Sequence, residues 1–468
     1  MLRTNMKNKL RYGIFILAYN VASTLIAAYE RIPVKIKRGA STIYCLDDHS
    51  GDNTYFAAMG YKLLRRIEKF RVFRNPRNLG YGGNQKRGYR YAITQKLDVV
   101  VMLHGDVQYS PEKMPLLLKP FEEQDWRQIG VVMGSRMLGR PLEGGMPYYK
   151  FIGNKILTHL ENIILGTNFS EFHSGYRAYN TNVFKAIPLS KLSNSYHFDT
   201  EMIIFLNHLG YRIIEVPIPT YYGPGSKSGV KVFSYGLSCL NAVLKYQLSQ
   251  LGLIKDSIYS VSPYSFKHHS NSSHMLIASL IKKCNFRTVL DLGCAGGFLA
   301  SALGPTWQGD LIGIEKSHSW KRFAAINRYS TVYWRSLNKP LPKTSSEVTV
   351  AADVLEHLNK PETVINQINS KYLIVSLPNS NYLPARILRF LFPRHKFTRG
   401  PFDSTHLHFF TDKSSQELIN RPKYSIISKQ VTPAPFFTSI GIVLARLLTQ
   451  HFAYQYVYLA INKKYQSN

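Results

Sequence analysis

The stretch VVVMLHGDVQYSPEKMP, Val99 to Pro115, decides the fold of the first half of the chain. Its apolar run is too short for a helix, ends at His104 and gives way to Gly105 and Asp106, so it reads as a buried strand with an acid at its C-terminal end. Two earlier stretches share the design. FILAYN (Phe15–Asn20) closes one strand and opens a helix, and CLDDHSGDNT (Cys45–Thr54) closes another on paired carboxylates. Working outward, candidate strands are Tyr12–Tyr19, Thr42–Asp48, Arg71–Asn75, Val99–His104, Ile129–Ser135 and Arg212–Pro217. Candidate helices lie between them, including Asn53–Arg66, Gly83–Gln95 and Pro111–Glu123, which is the alternation of an α/β sheet. Strand C-termini in such a sheet converge on one crevice, so Asp47, Asp48 and Asp106 can share it. Carboxylates gathered there can hold a divalent ion and a nucleotide base or ribose, and the ion would neutralise a diphosphate leaving group. Taken alone, residues 45–54 also read as a plain turn with Asp52 capping a helix.

A second α/β series begins at Arg287, with candidate strands Thr288–Leu292, Asp310–Glu315, Val348–Ala352, Tyr372–Leu377, Tyr424–Gln430 and Tyr454–Ile461. Its leading motif is VLDLGCAGGFLA, Val289 to Ala300. A strand ends in Asp291, and Gly293, Gly296 and Gly297 allow a tight turn and close backbone approach to a ligand. The next strand ends in Glu315, spaced to hydrogen-bond a ribose diol. Between the two series, Leu237 to Leu253 has helical spacing, and Ser257 to Ser273 is rich in Ser, His and Tyr with no sustained period. These features predict a first domain over 1–255, a linker over 256–273 and a second domain over 274–468.

Composition bounds the function. The 468 residues suggest two domains. Lys and Arg total 59 against 28 Asp and Glu, a net charge of +31. Residues 1–255 hold 34 basic and 17 acidic groups and residues 256–468 hold 25 and 11, so both halves are cationic. An acidic solvating protein is excluded, and anionic partners are indicated: nucleic acid, anionic lipid or phosphorylated substrates. Cys45, Cys239, Cys284 and Cys294 form no CxxC pair and are too few for a disulfide framework, which fits a reducing cytoplasm. No run reaches the length of a membrane span, and Tyr12–Tyr19 reads as a buried strand rather than a signal peptide.

The first half resembles family 2 glycosyltransferases of the GT-A fold, nearest the polyprenyl-phosphate (dolichyl-phosphate) sugar synthases, over about Lys9 to Lys245. The matching stretches are AYN at Ala18, Tyr19 and Asn20; DDHSGDNT from Asp47; NPRNLGYGGNQKRGYRYA (Asn75–Ala92); MGSRML (Met133–Leu138); SEFHSGYRAY (Ser170–Tyr179); and FDTEMIIFLNHLGYRIIEVPIPTYYG (Phe198–Gly223). The family's two-carboxylate metal motif reads His104-Gly105-Asp106 here. The resemblance therefore implies Asp106 as the ligand of Mg²⁺ or Mn²⁺, with His104 as a neutral ligand, a base-contacting group or neither. It implies nucleotide-sugar contacts from Ala18, Tyr19, Asn20, Asp47, Asp48, Arg87, His104, Asp106 and Lys227, the last in a mobile loop Gly223–Lys231. It implies Arg177 at a donor or acceptor phosphate. Asp199 and Glu201 would brace the site, and Glu171 or Asp199 would act as base if the acceptor is a sugar hydroxyl. The expected reaction is inverting transfer from a nucleotide-diphosphate sugar to a lipid phosphate or glycan.

The second half resembles class I S-adenosylmethionine-dependent methyltransferases with a Rossmann-like fold, over roughly Ser273 to Lys463. Beside DLGCAGG, it carries AADVLEHL (Ala351–Leu358), SLPNSNYLPAR (Ser376–Arg386) and DSTHLHFFT (Asp403–Thr411), as in the methionine-biosynthesis and ubiquinone-type branch. The resemblance implies S-adenosyl-L-methionine bound by Asp291, Gly293, Cys294, Ala295, Gly296, Gly297, Glu315, Asp353 and Val354. Methylation needs a base only where the acceptor proton must leave, and His357, His406 and His408 are the candidates, His406 foremost. The basic amphipathic segment Leu383–Lys396 reads as a lid or a membrane-surface helix.

Together these readings imply a bifunctional enzyme of cell-envelope glycan or glycolipid assembly. It would be cytoplasmic and held by its charge at the anionic inner face of the membrane. The alternatives are a nucleic-acid-binding methyltransferase and a scaffold with one degenerate domain. The spread of the charge and the lack of an aromatic-basic motif speak against a specific nucleic-acid partner.

Overall fold

The computed structural model describes residues 10–123, 126–222, 232–250, 254–259, 266–267, 270–397, 400–421, 423–434 and 438–466. The chain divides into two units. The first draws on Met1–Asn162, Asn168–Leu206 and Tyr211–Val243, and the second on Ile163–Thr167, Asn207–Gly210 and Leu244–Asn468.

The first unit is built on seven strands: β1 (Tyr12–Ala18), β2 (Thr42–Asp47), β3 (Phe70–Arg74), β4 (Val99–His104), β5 (Ile129–Ser135), β6 (Arg177–Asn180) and β7 (Arg212–Pro217). Their order is β3-β2-β1-β4-β6-β5-β7. The strands β1 to β4 are parallel, β6 runs antiparallel to β4 and β5, and β7 is parallel to β5. This mixed sheet is a GT-A-like α/β architecture. Covering on both faces explains why β1, β2 and β4 read as continuous apolar runs rather than alternating ones. Ile14, Ile16, Val99, Val101 and Leu103 all lie in the core. The register sets Ala18 opposite Asp47 and Leu17 opposite His104, so the sequence-predicted strand ends finish level with one another. The order reverses between β1 and β4, and a crevice opens at such a switch point.

The second unit has β8 (Thr288–Leu292), β9 (Asp310–Glu315), β10 (Thr331–Trp334), β11 (Val348–Ala352), β12 (Tyr372–Pro378), β13 (Tyr424–Thr432) and β14 (Gln455–Asn462). The order is β10-β9-β8-β11-β12-β14-β13. Only β14 is reversed, pairing antiparallel with β12 and β13. The sheet is Rossmann-like, with its switch point between β8 and β11. Two strands lie outside the sequence expectation: β6 and β10, each four residues long. Such short segments carry too few positions to display a period.

Candidate functional site

At the β1/β4 switch point the first unit gathers the expected acids and wires most of them to its own chain. Asp47 is fully buried; it accepts from the Ser50 amide and hydroxyl, and Arg74 Nε stands 3.3 Å away. Asp48 Oδ1 accepts from Asn75 Nδ2 at 2.6 Å and from the Leu79 amide at 2.9 Å. Arg87 donates to Asn75 Oδ1 at 2.6 Å, which adds it to the same network. Asn20 has a left-handed backbone (φ 51°). Its amide donates to Ser50 Oγ and its Oδ1 accepts from the Gly51 amide, both at 2.9 Å, so the AYN element and the DDHSG turn fix each other. Ala18 is buried below them, and Tyr19 is half exposed.

Asp106 differs. It is exposed, and among the described residues its Oδ1 accepts one hydrogen bond, from the Gln108 amide at 3.0 Å. His104, two residues earlier, faces inward: its Nε2 lies 3.3 Å from Tyr81 Oη, and Tyr81 donates to Asp199 Oδ2 at 2.8 Å. Burial lowers the His104 pKa against the pull of Asp106 and Asp199, which favours a neutral ring. A Cβ on Gly175 would stand 2.5 Å from His104 Nε2 and 2.7 Å from Tyr81 Oη, so the absence of a side chain makes room for this chain of hydrogen bonds. The donor set suits a hard cation with one protein carboxylate, Asp106, and oxygen ligands from a diphosphate and water. His104 Nε2 is committed to the Tyr81–Asp199 chain.

Two expected roles are corrected by burial. Arg177 does not present its guanidinium to a phosphate. It is fully buried and donates to the carbonyls of Ser174, Phe172 and Asp199 and to Tyr179 Oη, so it braces the segment that carries Gly175. Glu171 is not placed as a base. Its carboxylate accepts from Arg136 Nε and the Arg136 amide, each at 2.7 Å, and from Asn154 at 2.9 Å. Burial would raise its pKa, but Arg136 outweighs that and holds it below the usual range. Asp199 is buried and accepts from Tyr81 and Gln85. Glu201 accepts from the Ser193 amide at 2.7 Å. Lys227 and the loop Gly223–Lys231 lie outside the described residues. Sequence reasoning missed Tyr81 and Arg136. The signal for Arg136 was present in MGSRML: an arginine directly after a buried strand needs a carboxylate, and Glu171 was at hand.

In the second unit the glycine turn joins β8 to the helix Phe298–Leu303. Gly297 has φ +83°, and a Cβ there would meet the Ala325 backbone carbon at 2.6 Å. Ala295 also adopts a left-handed conformation (φ 44°), so the non-glycine residue sits where the turn favours glycine. Gly293 packs under Val354, Gly296 lies beside Trp320, and Cys294 is buried. Glu315 accepts from the Ala295 amide at 3.0 Å and the Ser317 amide at 2.7 Å, which ties the end of β9 to the turn. Asp291 is buried and accepts from Tyr329 Oη at 2.6 Å; burial pushes its carboxyl up to about 7. Asp353 is held by Lys267 Nζ at 2.5 Å, Ser376 Oγ at 2.5 Å and Gln455 Nε2 at 2.9 Å. Burial opposes its ionisation, but Lys267 overrides that and keeps the carboxyl well below the usual range. His357 and His406 are brought together, ring centres 4.8 Å apart, and a carboxylate oxygen of Glu356 joins their nitrogens within 4.8 Å. Burial, then His357, lowers the His406 pKa. His408 stands apart, with Nε2 3.0 Å from the Leu358 carbonyl.

The mixed sheet and its strand-end acids define the class in which comparisons with known proteins place the first unit. The family model for glycosyl transferase family 2 matches residues 13–187. An uncharacterized protein of Methanocaldococcus jannaschii is 30% identical over 194 residues, 41% of this chain and 75% of that one. The chain thus belongs to glycosyl transferase family 2 through its N-terminal half. It is 31% identical over 140 residues to the undecaprenyl-phosphate mannosyltransferase of Micrococcus luteus, covering 30% of this chain and 56% of the relative's length. Among solved structures, mannosyl-3-phosphoglycerate synthase from Rubrobacter xylanophilus aligns with 18% identity and a TM-score of 0.41, over 53% of this chain and 77% of that one.

Proposed function

We propose that the first unit transfers a sugar, with inversion in a single displacement, from a nucleotide-diphosphate sugar to a polyprenyl phosphate. One observation carries this reading: Asp106 is exposed at the switch point, while Asp47, Asp48, Glu171 and Asp199 are buried and hydrogen-bonded. Asp106 would hold Mg²⁺ or Mn²⁺, which when bound neutralises charge developing on the leaving diphosphate. The AYN element, the Asp48–Asn75–Arg87 network and Tyr19 would position the nucleotide. A phosphate acceptor is already an anion at neutral pH and needs no general base, which suits a site whose other acids are committed. A lipid acceptor is further supported by apolar side chains left in solvent. Tyr148, Ile152, Ile156 and Leu160 are exposed on the helix Tyr148–Leu165, and Phe233 and Leu237 on the helix Val232–Gln250. No helix among the described residues is long and apolar enough to cross a membrane. The net positive charge and these side chains support attachment at the cytoplasmic, anionic face of a membrane.

For the second unit we propose binding of S-adenosyl-L-methionine and methyl transfer to a small-molecule or glycan acceptor. The strand order, the turn from Gly293 to Gly297 and Glu315 at the end of β9 support the cofactor site. The pairing of His357 with His406 supports a proton acceptor beside it.

The transfer reading is tested with labelled nucleotide sugars, undecaprenyl phosphate in micelles and added Mn²⁺. A chloroform-soluble, metal-dependent product is expected. Label passing only into a water-soluble glycan would contradict the lipid acceptor. For the second unit, calorimetry should show S-adenosylmethionine binding that is lost in Glu315→Ala; affinity unchanged by that substitution would sink the assignment.

A further inference from the structure

A second cluster in the first unit lies outside the site described above. Glu161 stands on the helix Tyr148–Leu165, His173 on the segment leading into β6, and Cys239 on the helix Val232–Gln250. One carboxylate oxygen, one imidazole nitrogen and the thiol sulfur of the three lie within 4.8 Å of one another. Glu161 and Cys239 are fully buried, and the His173 side chain is 5% exposed. Neither oxygen of Glu161 has a hydrogen-bond partner. His173 Nε2 is 3.1 Å from Glu161 Oε2, yet it too makes no hydrogen bond. Burial opposes a charged His173, but Glu161 raises its pKa to about 10, so the imidazolium is the nearest counter-ion of this carboxylate and a bound metal ion would take its place.

The surroundings are arranged as around metal ligands. Tyr235 Oη lies 3.0 Å from His173 Nδ1. With the Nδ1 proton donated to that oxygen, the ring is fixed and Nε2 is left as an electron-pair donor. Thr200 Oγ1 donates to Cys239 Sγ at 3.3 Å. On giving up the His173 and Cys239 protons to a metal, the three side chains would form a mixed O, N and S set suited to Zn²⁺, whose charge the carboxylate and thiolate would balance. Ligand bonds of about 2.0–2.3 Å require the three donors to close by only a small movement.

We propose that Glu161, His173 and Cys239 bind one Zn²⁺ as a structural clamp. It joins two helices to the segment that carries Glu171 and Gly175. Binding couples ligand deprotonation to folding of this segment and leaves the cation of the transfer site as a separate, hard-ligand matter.

The full-length protein is purified without metal-affinity steps, dialysed against metal-free buffer and its zinc measured by mass spectrometry. One zinc per chain is expected, lost in Cys239→Ser and in His173→Gln. Cobalt substitution of the wild-type protein should give a thiolate-to-metal charge-transfer band that Cys239→Ser abolishes, a signature that a cation at Asp106 does not produce. Should either variant fail to fold, the wild-type chain decides. A chelator should lower its Tm and Zn²⁺ should restore it with a one-to-one endpoint. No zinc above the buffer blank, with Tm indifferent to both reagents, overturns the proposal. Zinc retained in a folded Cys239→Ser protein does so too.

Discussion

The two units treat buried acids differently. In the first, Asp47 faces Arg74, Glu171 faces Arg136, and Asp199 lies 4.0 Å from Arg177, while Asp48 relies on Asn75 and Glu161 on His173. In the second, Asp291 has the Tyr329 hydroxyl and Glu356 keeps a carboxylate oxygen without a partner, while the partly buried Asp353 and Asp412 have Lys267 and Lys429. Burial would raise the Glu171 pKa, but Arg136 overrides it, and the acid becomes a brace. A hydroxyl leaves burial in control, so the acid takes up a proton in the neutral range. The first arrangement leaves Asp106 exposed, as the proposed transfer requires, and the second is expected to make the fold around the glycine turn responsive to pH.

The sharpest way to break the comparison is to remove a braced acid. Glu171→Ala leaves Arg136 buried and unpaired, and should cost about 3–5 kcal/mol of stability in urea unfolding of the full chain. A loss below 1 kcal/mol would show that Arg136 finds water instead. Next is the turn of the second unit. Gly297→Ala forces a left-handed alanine against the Ala325 backbone and should cost about 2 kcal/mol or more, together with cofactor affinity.

The pH dependence follows from Asp291. Its folded-state pKa of about 7 lies above the ordinary carboxylate value, so folding favours the protonated acid. This contribution is fully present below the unfolded-state pKa and is lost as pH rises to about 7. Hydrogen exchange of the β8 amides should therefore quicken across that window beyond its intrinsic pH dependence. Asp291→Asn should remove the excess; an unchanged profile in the variant would assign it elsewhere. The smallest effect is at Ala295. Ala295→Gly relieves about 1–2 kcal/mol of left-handed strain and gives back about 0.4–1 kcal/mol of chain entropy, for a net gain of about 0.8 kcal/mol.

Much of the fold was legible because both sheets are dominated by parallel, doubly covered strands. Val99–His104, Ile129–Ser135, Thr288–Leu292 and Asp310–Glu315 begin and end where their apolar runs do. The strand RAYN at β6 was hidden by its length and by the buried Arg177 within it. The site was legible only in part. Spacing placed Asp47, Asp48, Asp106 and Glu315 at strand ends, but only the fold shows that His357 meets His406. Spacing could not tell which acids are committed, since that depends on partners far along the chain: Arg136 lies 35 residues from Glu171, and Lys267 lies 86 from Asp353. Arg177 and Glu171 were misjudged for this reason, as charged side chains that look functional until their hydrogen bonds are counted.

We propose that Asp106, among the described strand-end acids of the first unit, is the one open to a cation and nucleotide. Calorimetric titration of the full chain with UDP and GDP, each with and without Mn²⁺, tests it most directly. The account predicts nucleotide binding that requires the metal and is lost in Asp106→Asn, with the variant's thermal stability unchanged. Metal-independent binding that survives Asp106→Asn would contradict it.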